Sequence, residues 1–394
     1  MSKLPKIAIN GTYLQEQGSG LGVVNQNLIA KLMNKDEPDP TGILSQHRQH
    51  QFDFQLYSHA DCFKSQYPKQ VIPVDPSLSP DRGFSGHIKR ILWYQTALNQ
   101  QLKRQQADLF FSPVAEGIFF PCIPQIVTVH DLIPLQYPEL SPKWKYYYLY
   151  ALPFLLKQSH GIICVSEYTK QDLVKNYRLN PDSINVVYNG YTQDLFYPQA
   201  EPTILQQYGL DKYLLYVGDM RFYKNLARCL EAFDSLPLTD YQFVITGKKD
   251  SFFYPEIERQ TAKLAAKDRI IFLDYVPSEN LPPLYSMAQA LVFASLYEGF
   301  GLPVLEAMAC GCPVITSKVT SIPEVGGDSV LYVDPYSVDS IAQGMYQILT
   351  NPELSNHLRH QGLARAKLFS WERTAKGVCQ VLENCLNYGN QTKD

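Results

Sequence analysis

Short apolar runs alternate with longer amphipathic stretches along the whole chain. In the first half the runs are Lys6-Ile7-Ala8-Ile9-Asn10, Phe52 to Tyr57, Val71 to Val74, Leu109-Phe110-Phe111, Ile126-Val127-Thr128-Val129, Gly161 to Val165 and Ile184 to Tyr188. These runs read as strands. Between them, helical patterns cover about 23–32, 86–105 and 141–158, and Ser166-Glu167 opens another with serine as its N-cap. Strands that alternate with helices predict parallel sheets.

Asn189-Gly190 turns the chain, Pro198 and Pro202 stiffen the segment beyond it, and an interdomain linker is expected over 190–205. The same grammar then restarts. Tyr213 to Gly218, Phe243 to Gly247, Ile271-Phe272-Leu273, Ala290 to Ser295 and Pro313 to Thr316 read as strands. Helices are expected over 281–287 and near 337–349, 352–368 and 371–387, the last capped by Ser370. A chain of 394 residues is long for one core. The predicted division is 1–195, 206–370 and a terminal helix from 371 to 394. Each half is an α/β, Rossmann-like domain.

A net charge of −3 leaves no nucleic-acid footprint. The N-terminus shows no signal-peptide core, and no apolar stretch reaches the ~18 residues that span a bilayer. Eight cysteines lie mostly in apolar segments without zinc spacing, so reduced core thiols in a cytosolic protein are expected. Residues 35–51, polar and proline-rich, read as a surface loop. The segment 86–105 carries Lys89, Arg90, Trp93, Lys103 and Arg104. Such a helix could touch a membrane surface, although a solvated face with one buried Trp is the plainer reading. The aromatic stripe Tyr146 to Tyr150 reads as packing.

The richest chemistry lies in Glu298-Gly299-Phe300-Gly301-Leu302-Pro303, which follows an apolar strand and opens a short helix that Gly311 would stop. Backbone N–H groups near Phe300, Gly301 and Leu302 sit at a helix N-terminus, where an anion binds. Glu298 lies in that loop and Glu306 about one turn inside the helix. Carboxylates beside an anion site suit a ligand that also carries hydroxyls, so a nucleotide sugar fits. Arg221 and Lys224 follow the strand ending at Gly218 and could neutralise a diphosphate. Gly247 ends another strand as a close-approach glycine. Asp-x-Asp occurs nowhere, so no metal bridge of that kind is supported.

Glu298 and Glu306, with Gly-Phe-Gly-Leu-Pro inside the spacing, resemble the E-x7-E motif of retaining glycosyltransferases of the GT-B fold, family 4. The resemblance implies two Rossmann-like domains facing across a cleft, with the C-terminal helix crossing back to the N-domain. It implies Glu298 near the donor hexose and Glu306 on the ribose hydroxyls. Val-x-Val-His-Asp resembles the strand whose His, here His130, lies near the donor hexose, and Asp131 would orient that ring or contact the acceptor. Gly20, in the glycine-rich turn Gly18 to Gly22, matches the glycine facing the donor diphosphate. Val276 falls where family members contact the nucleotide base through backbone. Lys224 falls at the usual place of the donor clamp. The family more often has Arg directly after the strand glycine, where this chain has Asp219, so Arg221 would substitute from further on.

The implied activity is retaining, metal-independent transfer of a hexose from a UDP-, GDP- or ADP-linked sugar to a sugar, lipid or small-molecule acceptor, without a further cofactor. His130, Asp131, Lys224 and Glu298 would carry catalysis. Rival readings are a sugar-nucleotide epimerase of the same fold and a non-catalytic partner subunit, which would usually lose Lys224, His130 or a motif Glu. A nicotinamide oxidoreductase is weaker, because the first turn lacks the glycine spacing.

Overall fold

The computed structural model describes residues 4–14, 20–34, 51–140, 142–247, 249 and 252–391. They belong to two compact units, Met1–Gly190 with Trp371–Asp394, and Tyr191–Ser370.

The first unit holds a parallel sheet of seven strands in the order β3-β2-β1-β4-β5-β6-β7. These are β1 Lys6–Asn10, β2 Asp53–Ser58, β3 Val71–Pro73, β4 Leu109–Ser112, β5 Gln125–Val129, β6 Gly161–Cys164 and β7 Ile184–Val186. β4, β5 and β6 are buried at every position, the reason their sequences show no alternation. Ile7 pairs with Phe54 on one side and Leu109 on the other. The chain thus leaves β1 toward β2 and later returns to its other edge as β4. The loops after β1 and β4 diverge there, and a crevice at such a point takes ligands. The terminal helix Trp371–Gln391 packs in this unit, where Glu372 pairs with Lys31 at 3.0 Å and Thr374 donates to the Tyr188 carbonyl at 2.8 Å.

The second unit holds six parallel strands in the order β10-β9-β8-β11-β12-β13. These are β8 Tyr213–Val217, β9 Gln242–Thr246, β10 Ile270–Asp274, β11 Ala290–Phe293, β12 Val314–Ser317 and β13 Leu331–Val333. β8 lies between β9 and β11, so this sheet reverses at the loops after β8 and β11.

Several expectations need correction. β13, a short strand at the sheet edge, is additional to the expected strands. The helix Pro202–Tyr208, begun by proline and ended at Gly209, occupies part of the expected linker. β11 stops at Phe293 instead of Ser295, because the Ala294 carbonyl accepts from Asn225 Nδ2 and that of Ser295 from Ser317 Oγ. The expected 86–105 helix is three segments, Gly83–Trp93, a π turn at Tyr94–Leu98, and Asn99–Arg104. Its Arg90 is buried and serves no solvent face. Around Tyr147, which is buried, Tyr146 and Tyr150 point outward and do not pack. Cys62 and Cys122 are exposed, unlike the core thiols expected, although all eight cysteines are free. The expected loop at 35–50 lies outside the described residues. No helix among the described residues is long and apolar enough to cross a membrane.

Candidate functional site

In the second unit Lys224 and Glu298 meet at the sheet's reversal. After β8 the chain makes a tight turn, Phe222–Lys224, and Asn225 follows with φ 61°. Asparagine tolerates that left-handed conformation better than most residues. Its amide is fully used: Nδ2 donates to the Ala294 carbonyl at 2.9 Å and to the Pro335 carbonyl at 2.7 Å, and Oδ1 accepts from Arg228. The Leu296 N–H donates to the Tyr223 carbonyl at 2.7 Å, so the loops after β8 and β11 are bonded directly.

That junction sets Lys224 against Glu298. Nζ donates to Oε1 at 2.8 Å and to Oε2 at 2.9 Å. Glu298 is 6% exposed. The Lys224 ammonium also sits 5.2 Å from the Phe293 ring centre and 5.6 Å from that of Tyr223. An ammonium has three N–H donors, so this carboxylate leaves one for a ligand. The loop carrying Glu298 is buried throughout, and hydroxyls satisfy the backbone of Glu298 itself. The Glu298 N–H donates to Thr320 Oγ1, and its carbonyl accepts from Ser321 Oγ.

The helix Leu302–Ala309 follows. Gly301 caps it at φ 99°, a left-handed conformation that strains residues with a Cβ, so glycine suits the position. No side chain caps the helix; Val304 and Leu305 N–H donate to the Gly301 carbonyl and Pro303 has no N–H, so in the first turn only the Leu302 N–H lacks an intrahelical partner. Phe300 is buried, its ring 6.0 Å from Phe369. At the other end, Cys312 N–H bonds the Ala307 carbonyl and Gly311 N–H that of Met308, with Gly311 at φ 70°. This is the Schellman pattern and explains why the helix is short.

Glu306 is half-buried and Oε2 accepts from Tyr285 OH at 3.2 Å. Burial pushes its carboxyl up to about 7, against the Tyr285 bond, which favours the ionised form. Arg221 is engaged elsewhere: its Nε donates to Asp219 at 2.7 Å in an exposed pair. Gly247 approaches protein backbone, since a Cβ there would lie 2.3 Å from the Gly218 carbonyl oxygen. Val276 is buried just beyond β10.

Gly20, His130 and Asp131 belong to the first unit. Gly20 is the exposed first residue of the helix Gly20–Met33, and a Cβ there would meet nothing within 4 Å. Gly18 and Ser19 lie outside the described residues. His130 follows β5, and its Nε2 lies 2.9 Å from the Pro113 carbonyl. A carbonyl can only accept, so Nε2 carries the proton and Nδ1 remains an acceptor. Burial holds the ring below its ordinary range and neutral, although the Pro113 bond opposes this. Asp131 Oδ1 accepts from the Ile133 N–H at 2.9 Å.

Sequence reasoning missed Asn225, Thr320 and Tyr285. Only Asn225 left a signal, an asparagine between a predicted loop and a predicted helix. It also missed a buried network at the first unit's reversal. Glu116 accepts from Arg90 Nε at 2.8 Å and Nη2 at 3.0 Å and from Tyr13 OH at 2.7 Å, and its Oε1 lies 2.7 Å from His87 Nδ1. Burial alone would raise this carboxyl, but the bonds from His87 and Arg90 outweigh it and hold it at about 2. Among the described residues, no three His, Cys, Asp or Glu are grouped to hold a metal ion.

Residues 44–195 match the family model "Glycosyltransferase Family 4", and residues 200–365 match "Glycosyl transferases group 1". The chain belongs to glycosyltransferase family 4. This glycosyltransferase is 36% identical over 259 residues to O-antigen chain mannosyltransferase B of Escherichia coli, a match covering 63% of this chain and 67% of that one. Sucrose-phosphate synthase from Thermosynechococcus elongatus superposes with a TM-score of 0.73 at 18% identity, over 98% of this chain and 100% of that one. HepE of Anabaena, solved with UDP and glucose, gives 0.71 at 16% identity over 96% and 100%. At such identities the structural neighbours of the glycosyltransferase establish the shared fold, GT-B.

Proposed function

We propose that the enzyme moves a hexose from a nucleotide-diphosphate sugar to an acceptor hydroxyl with retention of configuration. Mannose is the favoured hexose and a glycan the favoured acceptor, on the strength of the related mannosyltransferase. One observation carries the reading. Lys224 is held bidentately by buried Glu298 where the second sheet reverses, on the loop that leads into the helix at Leu302. A fixed cation with a spare donor, on a loop that leads into a helix N-terminus, suits a diphosphate.

As the sugar–phosphate bond breaks, the electron pair stays on the leaving phosphate oxygen. The third N–H of Lys224 and the positive end of that helix stabilise the growing charge without reorganising. The acceptor oxygen attacks from the same face, and its proton passes to the departing phosphate. Glu306 takes the ribose hydroxyls and Glu298 a hexose hydroxyl. Nδ1 of neutral His130 is the first unit's candidate acceptor for a sugar hydroxyl, and Asp131 fixes the turn that follows it. The base is met through backbone near Val276. Arg221 joins the clamp once it leaves the exposed Asp219, a pair that holds it weakly. Because Lys224 supplies the charge a metal would, transfer is expected to survive EDTA. Free thiols throughout suit a reducing, cytoplasmic setting.

The test is a thermal-shift screen against UDP-, GDP- and ADP-sugars, followed by transfer from the stabilising donor and NMR of the product. An α-linked donor should give an α-linked product. An inverted anomer, or turnover of the donor with no acceptor present, would overturn the reading.

A further inference from the structure

We infer that the first unit docks on an anionic lipid bilayer through the outer faces of its helix Gly83–Trp93 and its helical segment 142–157 and the turn at Phe120. Ile88 and Leu92 are exposed one turn apart on the first helix, Leu92 at 61%. Tyr146 and Tyr150 are 63% and 68% exposed on the second, with Phe154 following, and Phe120 is 73% exposed.

Contacts join the elements that carry these side chains. The rings of His87 and Trp144 meet at a tilt with centres 4.2 Å apart, which joins the two helices from inside. The Lys143 ammonium lies 5.4 Å from the ring of exposed Phe84, which joins them outside. The Phe120 ring packs 5.5 Å from Phe154, and the Phe120 carbonyl accepts from Asn99 Nδ2 at 3.0 Å. A contiguous exposed apolar face of this kind marks an interaction surface, whereas scattered apolar residues do not.

Charge identifies the occupant. Over 82–107 and 140–166 the chain contains Lys and Arg but no Asp or Glu. Arg90 is neutralised inside by Glu116, while Lys89, Lys143 and Lys157 remain exposed. A second copy of the chain would set these lysines against themselves under two-fold symmetry. Anionic headgroups supply the missing sign, and Tyr and Phe rings rest well at the headgroup boundary.

The inner faces of the same helices connect this surface to chemistry. Tyr147 OH donates to the Ala115 carbonyl at 2.7 Å, Arg90 holds Glu116, and the Pro113 carbonyl accepts from His130. One loop, 113–117, therefore ties the outward surface to His130. On the function proposed above, docking would present that residue to an acceptor carried on a lipid.

Flotation of the full chain with vesicles of equal phosphatidylglycerol and phosphatidylcholine, and with phosphatidylcholine alone, tests the inference. The chain should float with the anionic vesicles only and be released at about 1 M salt, where the screening length is about 3 Å. The Leu92→Glu/Tyr150→Glu variant should bind at least ~10-fold less while keeping its circular dichroism and melting temperature. Failure to bind, equal binding to both vesicles, or a variant that binds like wild type would overturn it. So would gel filtration showing a dimer that the variant dissociates. Vesicle binding needs no sugar donor, so this inference and the transfer reaction can fail separately.

Discussion

Glu306 offers a sharp quantitative test of the site. Burial raises its carboxyl from an ordinary 4.5 to about 7. In the unfolded chain the group ionises near 4.5, so between that value and about 7 the folded chain holds a proton the unfolded chain has released. Stability is therefore complete below the lower value and is lost as pH rises to the upper one. The full loss is roughly 3 kcal/mol, at 1.36 kcal/mol per pKa unit. Glutamine keeps the acceptor for Tyr285 OH and does not titrate. Urea unfolding of wild type and Glu306→Gln at about pH 5 and about pH 8.5 should show wild type losing about 2.5 kcal/mol more than the variant. All other groups titrate alike in both proteins, so the difference belongs to Glu306. The ionised form accepts hydrogen bonds from a ribose diol, so donor binding to wild type should tighten toward about pH 7, and that of the variant should not. Parallel stability profiles would refute the reasoning.

Other perturbations follow from the same geometry. Lys224→Met and Glu298→Gln should each slow transfer by ~10²-fold or more, read as kcat with the identified donor, because each removes a charge aimed at the reacting groups. Glu116→Gln leaves Arg90 buried beside a neutral partner and should destabilise the chain by about 3–5 kcal/mol in urea, with Arg90→Met/Glu116→Gln less damaging than the sum of its parts. Gly247→Ala forces a Cβ toward the Gly218 carbonyl and should cost about 1–3 kcal/mol by the same assay.

The strands other than β13, the paired α/β architecture and the short helix between Leu302 and the Gly311 cap were readable from local pattern. Burial on both faces removes alternation, and caps and turns are chosen by adjacent residues. The candidates Lys224 and Glu298 were also readable, because each ends a strand at a loop. Their direct contact spans 74 residues of sequence and arises only where β8 and β11 lie side by side. Periodicity failed where it could not name a partner. Arg90 reads as a solvated cation until Glu116 arrives from the β4 loop. Tyr146 and Tyr150 read as core until the helix turns them outward around Tyr147. Glu306 shows an ordinary carboxylate in the sequence; its proton affinity belongs to the packing around it. Local chemistry sets which elements form, but exposure and charge state depend on neighbours brought in from distant segments, and only the folded chain supplies those.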